Sequence, residues 1–153
     1  VSHLPPEIEY GRVVGLGMNE EELRRNPRLD EQVVQNLNRD PMLPFEDAEF
    51  DGLGICVSVD YLTDPVTVLR EVGRVLKVGS TAVITFSNRC FPTKAVDVWH
   101  RLDDAGRMKL VELYLRDAGN FQDVRSENRS PGRMFSDPLY AVIGISTGPY
   151  QGS

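Results

Sequence analysis

The stretch that most constrains this chain is 43–51, Leu-Pro-Phe-Glu-Asp-Ala-Glu-Phe-Asp, because two further segments stand at fixed distance beyond it: Asp64-Pro65, and then 69–79, Leu-Arg-Glu-Val-Gly-Arg-Val-Leu-Lys-Val-Gly. Asp64 carries the short acceptor side chain that caps a helix. Proline suits the first helical position, where its missing N–H is not needed and its fixed φ matches the turn. Val68, Leu69, Val72, Val75 and Leu76 then recur at helical spacing as one apolar stripe, and Gly79 marks the stop. The runs 51–59 before this helix and 81–87 after it are short, apolar and rich in β-branched residues, so the unit reads strand, helix, strand. The second of these runs is almost continuously apolar, the pattern of a central strand covered on both sides.

The rest of the sequence extends the alternation. Residues 12–17, Arg-Val-Val-Gly-Leu-Gly, predict a strand, and Asn19 with Glu22 three residues later predicts a capped short helix. A strand is expected at 32–37. Helices are expected at 93–102 and 105–118, with Trp99, Leu110, Val111 and Tyr114 on their apolar faces. Strands at 121–126 and 139–145 come next without an intervening helix, which predicts a hairpin with a long loop. The fold class is therefore α/β: a Rossmann-like, mostly parallel sheet with helices on both faces and an antiparallel C-terminal strand.

At 153 residues and 41% hydrophobic content the chain can bury one core but not two ordinary ones, so 1–148 is taken as a single domain and 149–153 as a tail. A net charge of -6 argues against a general nucleic-acid binder, which needs clustered lysine and arginine to neutralise phosphates. No apolar run approaches the roughly 18 residues that span a bilayer, and the N-terminus lacks a basic region followed by an apolar one. The expectation is an intracellular chain, cytoplasmic or organellar, with no membrane contact. Cys56 and Cys90 have no spacing that suggests zinc or a disulfide framework and read as reduced thiols. The sequence begins at Val1 rather than at methionine, which leaves upstream residues open.

The order Leu-Pro-Phe, Phe50-Asp51, and Arg74-Val75-Leu76-Lys77-Val78-Gly79 resembles the second half of a class I S-adenosylmethionine-dependent methyltransferase, over about 12–88. It departs from that pattern at Val78 and Ser80, where proline and glycine are usual, and the first strand with its glycine-rich turn is not matched. The resemblance implies a sheet of order 3-2-1-4-5-7-6 and S-adenosylmethionine as cofactor, lying across the carboxyl ends of the strands. It places the cofactor against Gly15, Gly17, Met18 and Asn19 at the end of one strand, Leu37 and Asn38 at the end of the next, and Val57 and Ser58 at the end of a third. The position that usually supplies a carboxylate to both ribose hydroxyls is occupied here by Gly17, which predicts weak cofactor binding. Asn19, Glu20 and Glu21 are near enough in sequence to substitute, although capping and charging the helix N-terminus are the simpler account of them.

Methyl transfer needs in-line positioning rather than a nucleophilic triad or a metal. A base is required only where the acceptor loses a proton. Asp60 and Tyr61 are the candidate catalytic residues facing an acceptor, with Asn88 as a substrate contact. His3 is a further candidate base, and His100 reads as structural. The partner implied is a small molecule. If the unmatched strand leaves a gap in the sheet, its exposed backbone groups would be paired directly, or by a second copy of the chain. The alternative reading is a non-catalytic or truncated domain of the same fold that acts through protein contacts.

Overall fold

The computed structural model describes residues 9–56, 59–87, 96–128 and 139–152, with Asp60 described by its backbone alone. The chain forms two compact units, residues 1–40 and 41–153.

In the first unit, β1 (Val14–Gly17) and β2 (Glu31–Val34) pair in parallel, with Val14 opposite Glu31 and Gly17 opposite Val34. They are joined through α1 (Glu20–Arg24), whose N-cap Asn19 accepts hydrogen bonds from the backbone N–H groups of Glu21 and Glu22. β2 is shorter than the 32–37 expected. At its end Asn36 Oδ1 accepts from the Asn38 N–H at 3.0 Å, and the Asn36 carbonyl accepts from Arg39 and Asp40. This side-chain turn competes with the ladder and bends the chain out of it.

The second unit holds β3 (Phe50–Cys56), a single 3-10 turn (Val59–Tyr61), α2 (Pro65–Val75), β4 (Leu76–Ser87), α3 (Asp97–His100), α4 (Asp104–Ala118), β5 (Phe121–Asn128) and β6 (Leu139–Ser146). The strand order is β3-β4-β6-β5. β3 and β4 pair in parallel, whereas β6 is antiparallel to both β4 and β5. β3, β4 and β5 therefore share one direction, and β6 alone is reversed, inserted between β4 and β5. The expected final antiparallel strand and the β5–β6 hairpin are both present.

α2 starts as the sequence indicates, with Asp64 Oδ1 accepting from the Thr67 N–H and Pro65 in the first turn. It stops at Val75 rather than Gly79. Leu76 is extended and already pairs with Phe50, while the Ala48 and Glu49 N–H groups take the carbonyls of Arg74 and Val75. Sheet pairing thus claims residues that the apolar stripe assigned to the helix, and β4 begins five residues before 81.

Val68, Leu69, Val72 and Val75 of α2 are buried together with Val111, Leu115 and Ala118 of α4 and with Ala82, Ile84 and Phe86 of β4. Burial alternates along β4, with Val83 and Thr85 only half-buried between those three. α4 is capped by Asp103, which accepts from the Gly106 N–H at 2.8 Å, and ends at Gly119, whose φ of 82° is the left-handed conformation that glycine adopts without strain. Arg70 of α2 donates to the carbonyls of Asp117 and Ala118, satisfying the open end of α4, and its guanidinium lies 4.0 Å from the Tyr150 ring centre. Trp99 is buried as expected, edge-on to Phe86 at 5.0 Å.

Candidate functional site

In the first unit, the parallel pairing of β1 and β2 puts the two segments beyond their ends, 17–19 and 35–38, at the same edge of the sheet. The Gln35 N–H donates to the Gly17 carbonyl at 2.9 Å, fixing that juxtaposition. Five of the sequence-predicted cofactor residues, Gly17, Met18, Asn19, Leu37 and Asn38, gather here.

The two glycines of β1 are not equivalent. A Cβ at Gly15 would lie 2.5 Å from Leu29 Cδ1 and 2.9 Å from Cδ2, so glycine there lets Leu29 and Leu23 close over the strand. A Cβ at Gly17 would have the Leu23 side chain as its nearest neighbour among the described residues, at 3.6 to 3.9 Å, which is ordinary contact. Met18 is 68% exposed, and Asn38 is exposed. The Asn19 oxygen is spent on two backbone donors, and Glu20 and Glu21 each pair with the arginine four residues on. Glu31 is bound by Arg12, which lowers the carboxyl's pKa through their hydrogen bond. The Asp30 carboxylate accepts from the Val13 N–H at 2.7 Å.

In the second unit, the carboxyl ends of β3 and β4 and the amino end of β6 share an edge, with Cys56 opposite Thr85 and Phe86 opposite Tyr140. The turn Val59–Tyr61 leaves this edge with Val59 buried and Tyr61 half-buried, and the Leu62 N–H closes it onto the Val59 carbonyl. The backbone of Asp60 lies in that turn. Val57, Ser58, Asn88, His3 and Cys90 lie outside the described residues. Burial pushes the Cys56 thiol pKa up, so it is a poor nucleophile at neutral pH.

Two residues at this edge escaped the sequence reading. The Tyr140 hydroxyl donates to Asp104 Oδ2 at 2.8 Å, tying the start of β6 to the first turn of α4, and this bond raises the tyrosine pKa. The available signal was the doublet Asp103-Asp104: one aspartate caps the helix, and the second is surplus to capping.

Just before β3, Arg74 explains the Leu-Pro-Phe motif. Its guanidinium donates to the carbonyls of Leu43 and Phe45, to Asp47 and to both oxygens of Glu71, while Glu71 Oε1 also accepts from the Leu43 N–H at 2.8 Å. The Glu71 hydrogen bonds, with Asp47, hold the arginine more firmly protonated than usual. This motif is a structural clamp, with both charges committed to it.

Residues 3–84, more than half of the chain, match the family model of a methyltransferase domain. No curated protein sequence matches the chain. Among solved structures, it is similar to an S-adenosylmethionine-dependent methyltransferase from Thermotoga maritima, a possible histamine N-methyltransferase, at 18% identity and a TM-score of 0.62 over 88% of this chain and 72% of that one. The cyclase SpnF shows 17% identity and a TM-score of 0.60 over 91% and 67%. Phosphoethanolamine N-methyltransferase 2 from Haemonchus contortus, in complex with S-adenosyl-L-methionine, shows 13% identity and a TM-score of 0.58 over 90% and 43%. Likeness at these identities is likeness of fold. Among the described residues, no helix is long and apolar enough to cross a membrane.

Proposed function

The chain belongs to the family of methyltransferase domains, and from that premise we propose that it serves S-adenosylmethionine-dependent methyl transfer to a small molecule. The observation that carries this reading is the sheet of the second unit, in which the single reversed strand β6 is inserted between β4 and β5. That is the 4-5-7-6 half of the order implied by the sequence resemblance, and it sets the loops after β3 and β4 along one edge, where open α/β sheets bind ligands.

On this reading Asp60 and Tyr61 face the acceptor from the turn after β3, and Asn88 does so from beyond β4. Asp60 accepts the proton when the acceptor is a hydroxyl or a protonated amine, and an acceptor that is already nucleophilic needs orientation alone. The Tyr140–Asp104 pair belongs to the same edge and holds β6 against α4 there.

The ribose end of the cofactor does not fit the residues present as the resemblance implies. Gly17 offers no carboxylate, its carbonyl is taken by Gln35, and Asn19 is committed to its helix cap. This favours a second reading, a domain of the same fold that acts through protein contacts without catalysis.

Isothermal titration of S-adenosylmethionine into the 153-residue chain separates the two. The expected dissociation constant is on the order of 1 mM or weaker, about 4 kcal/mol of binding. Loss of hydrogen bonds to a charged group, at roughly 1.5 to 3 kcal/mol each, accounts for that weakness. Substitution Asp60→Asn should then slow release of S-adenosylhomocysteine at least tenfold with hydroxyl acceptors. Absence of any heat up to about 10 mM ligand, well past that constant, would leave the non-catalytic reading standing.

A further inference from the structure

We infer that this chain holds its adenosyl ligand without reading the ribose diol at the end of β1, and that position 17 is open to the carboxylate that would read it. The inference rests on the S-adenosylmethionine reading above and adds which ligand groups this site recognises.

A ribose 2′,3′-diol presents two adjacent hydroxyl donors, and a carboxylate, with two oxygens and no hydrogens, is the side chain that accepts both at once. Among the described residues, the end of β1 itself, Gly17-Met18-Asn19, carries none. The Gly17 carbonyl already accepts from Gln35, and the thioether of Met18 is a weak acceptor. The Asn19 oxygen holds two N–H groups of α1, and the carboxylates of Glu20 and Glu21 are paired with Arg24 and Arg25.

Packing does not impose this. At Gly15 a Cβ would come within 2.5 Å of Leu29, so that side chain would have to shift to admit one. At Gly17, two residues on and therefore on the same face of the strand, a Cβ would find Leu23 at 3.6 Å and no described residue closer, and the backbone there is not left-handed. Position 17 therefore accepts a Cβ at ordinary contact distance from its described neighbours. The missing acid is thus a property of the ligand site rather than a requirement of the fold, and nucleosides altered at the 2′-position fall within what this site admits.

The test is isothermal titration of S-adenosylhomocysteine and its 2′-deoxy analogue into the 153-residue chain, alongside Gly17→Asp and Gly17→Ala, with thermal melting to show that each variant folds. The unaltered chain should bind the two ligands within threefold of one another. Gly17→Asp should bind S-adenosylhomocysteine at least tenfold more tightly than Gly17→Ala does and lose that gain with the 2′-deoxy ligand, since one charge-assisted hydrogen bond is worth about that factor. Preference of the unaltered chain for the ribose ligand by more than threefold would overturn the inference, leaving the cofactor reading intact and showing that this site reads the diol. That comparison needs no variant, so it decides the matter even if Gly17→Asp does not fold. A folded Gly17→Asp chain no tighter than Gly17→Ala overturns it too. If neither ligand binds any of the folded proteins, the inference and the cofactor reading fall together.

Discussion

At the scale of single residues, a few buried polar groups tie the elements of the second unit together around its apolar core. Asn120 is 1% exposed and its amide donates to the carbonyls of Arg70 and Gly148, each at 2.9 Å, while the buried Ser146 hydroxyl donates to the Gly73 carbonyl at 2.7 Å. Gly73 sits in the middle of α2 because a Cβ there would lie 2.3 Å from Asn120 Nδ2. Gly73→Ala should therefore cost about 2 to 4 kcal/mol in urea titration, by overpacking and by breaking the asparagine's bonds, despite alanine's better helix propensity. A stabilised variant would show that Asn120 can move aside freely. The Glu71 side chain is 8% exposed, and its charge is compensated by Arg74. Arg74→Met leaves that carboxylate buried without its counter-charge, held only by the Leu43 N–H, and a loss of about 3 to 5 kcal/mol is expected. Tyr140 supplies a pH dependence. Its hydroxyl donates to Asp104, so its folded pKa is raised above the ordinary value of 10.0. The stability from that contact is fully present below the unfolded value and is lost as pH rises through the folded one. Urea titrations from about pH 8 to 11 should show that decline, and Tyr140→Phe should make it shallower, the remainder coming from Cys56 and Tyr114, whose pKa values burial also raises; an unchanged slope would assign the hydroxyl no role.

At the scale of elements, α2 and β4 succeed one another with no loop, the helix ending at Val75 and the strand starting at Leu76. Both residues are 0% exposed, so this corner is part of the core. The stripe facing it is centred on Leu69, also 0% exposed. Leu69→Ala should cost about 2 to 5 kcal/mol, the lost transfer energy plus the cavity left behind, and a denaturant titration showing almost no change would mean the helix face is misassigned. The start and face of this helix were legible because capping chemistry and spacing are local. Its end was not, because Leu76 continues the helical stripe and leaves it only to pair with Phe50, a residue 26 positions earlier in the chain.

At the scale of the whole molecule, the core belongs to residues 41–153. Among the described residues of the first unit none is fully buried, and its sheet is two strands of four residues. A ladder of that kind opens easily. Amide exchange should therefore run roughly 100-fold faster in β1 and β2 than in β4 and β6. Equal protection would mean that something beyond the unit's own packing holds it.

The sequence alone determined the α/β class, the reversal of the last strand, the buried face of α2 and the absence of a carboxylate at position 17. Each comes from periodicity, caps or the identity of one residue in a recognised order, all of which are local. Only the tertiary structure decided that Gly15 is closed by Leu29 and Gly17 is open, that Glu71 and Arg74 clamp the Leu-Pro-Phe segment, and that Tyr140 meets Asp104. Those are contacts across 14, 28 and 36 residues of chain. A side chain's type says what it can bond to, while the fold alone sets what comes within reach.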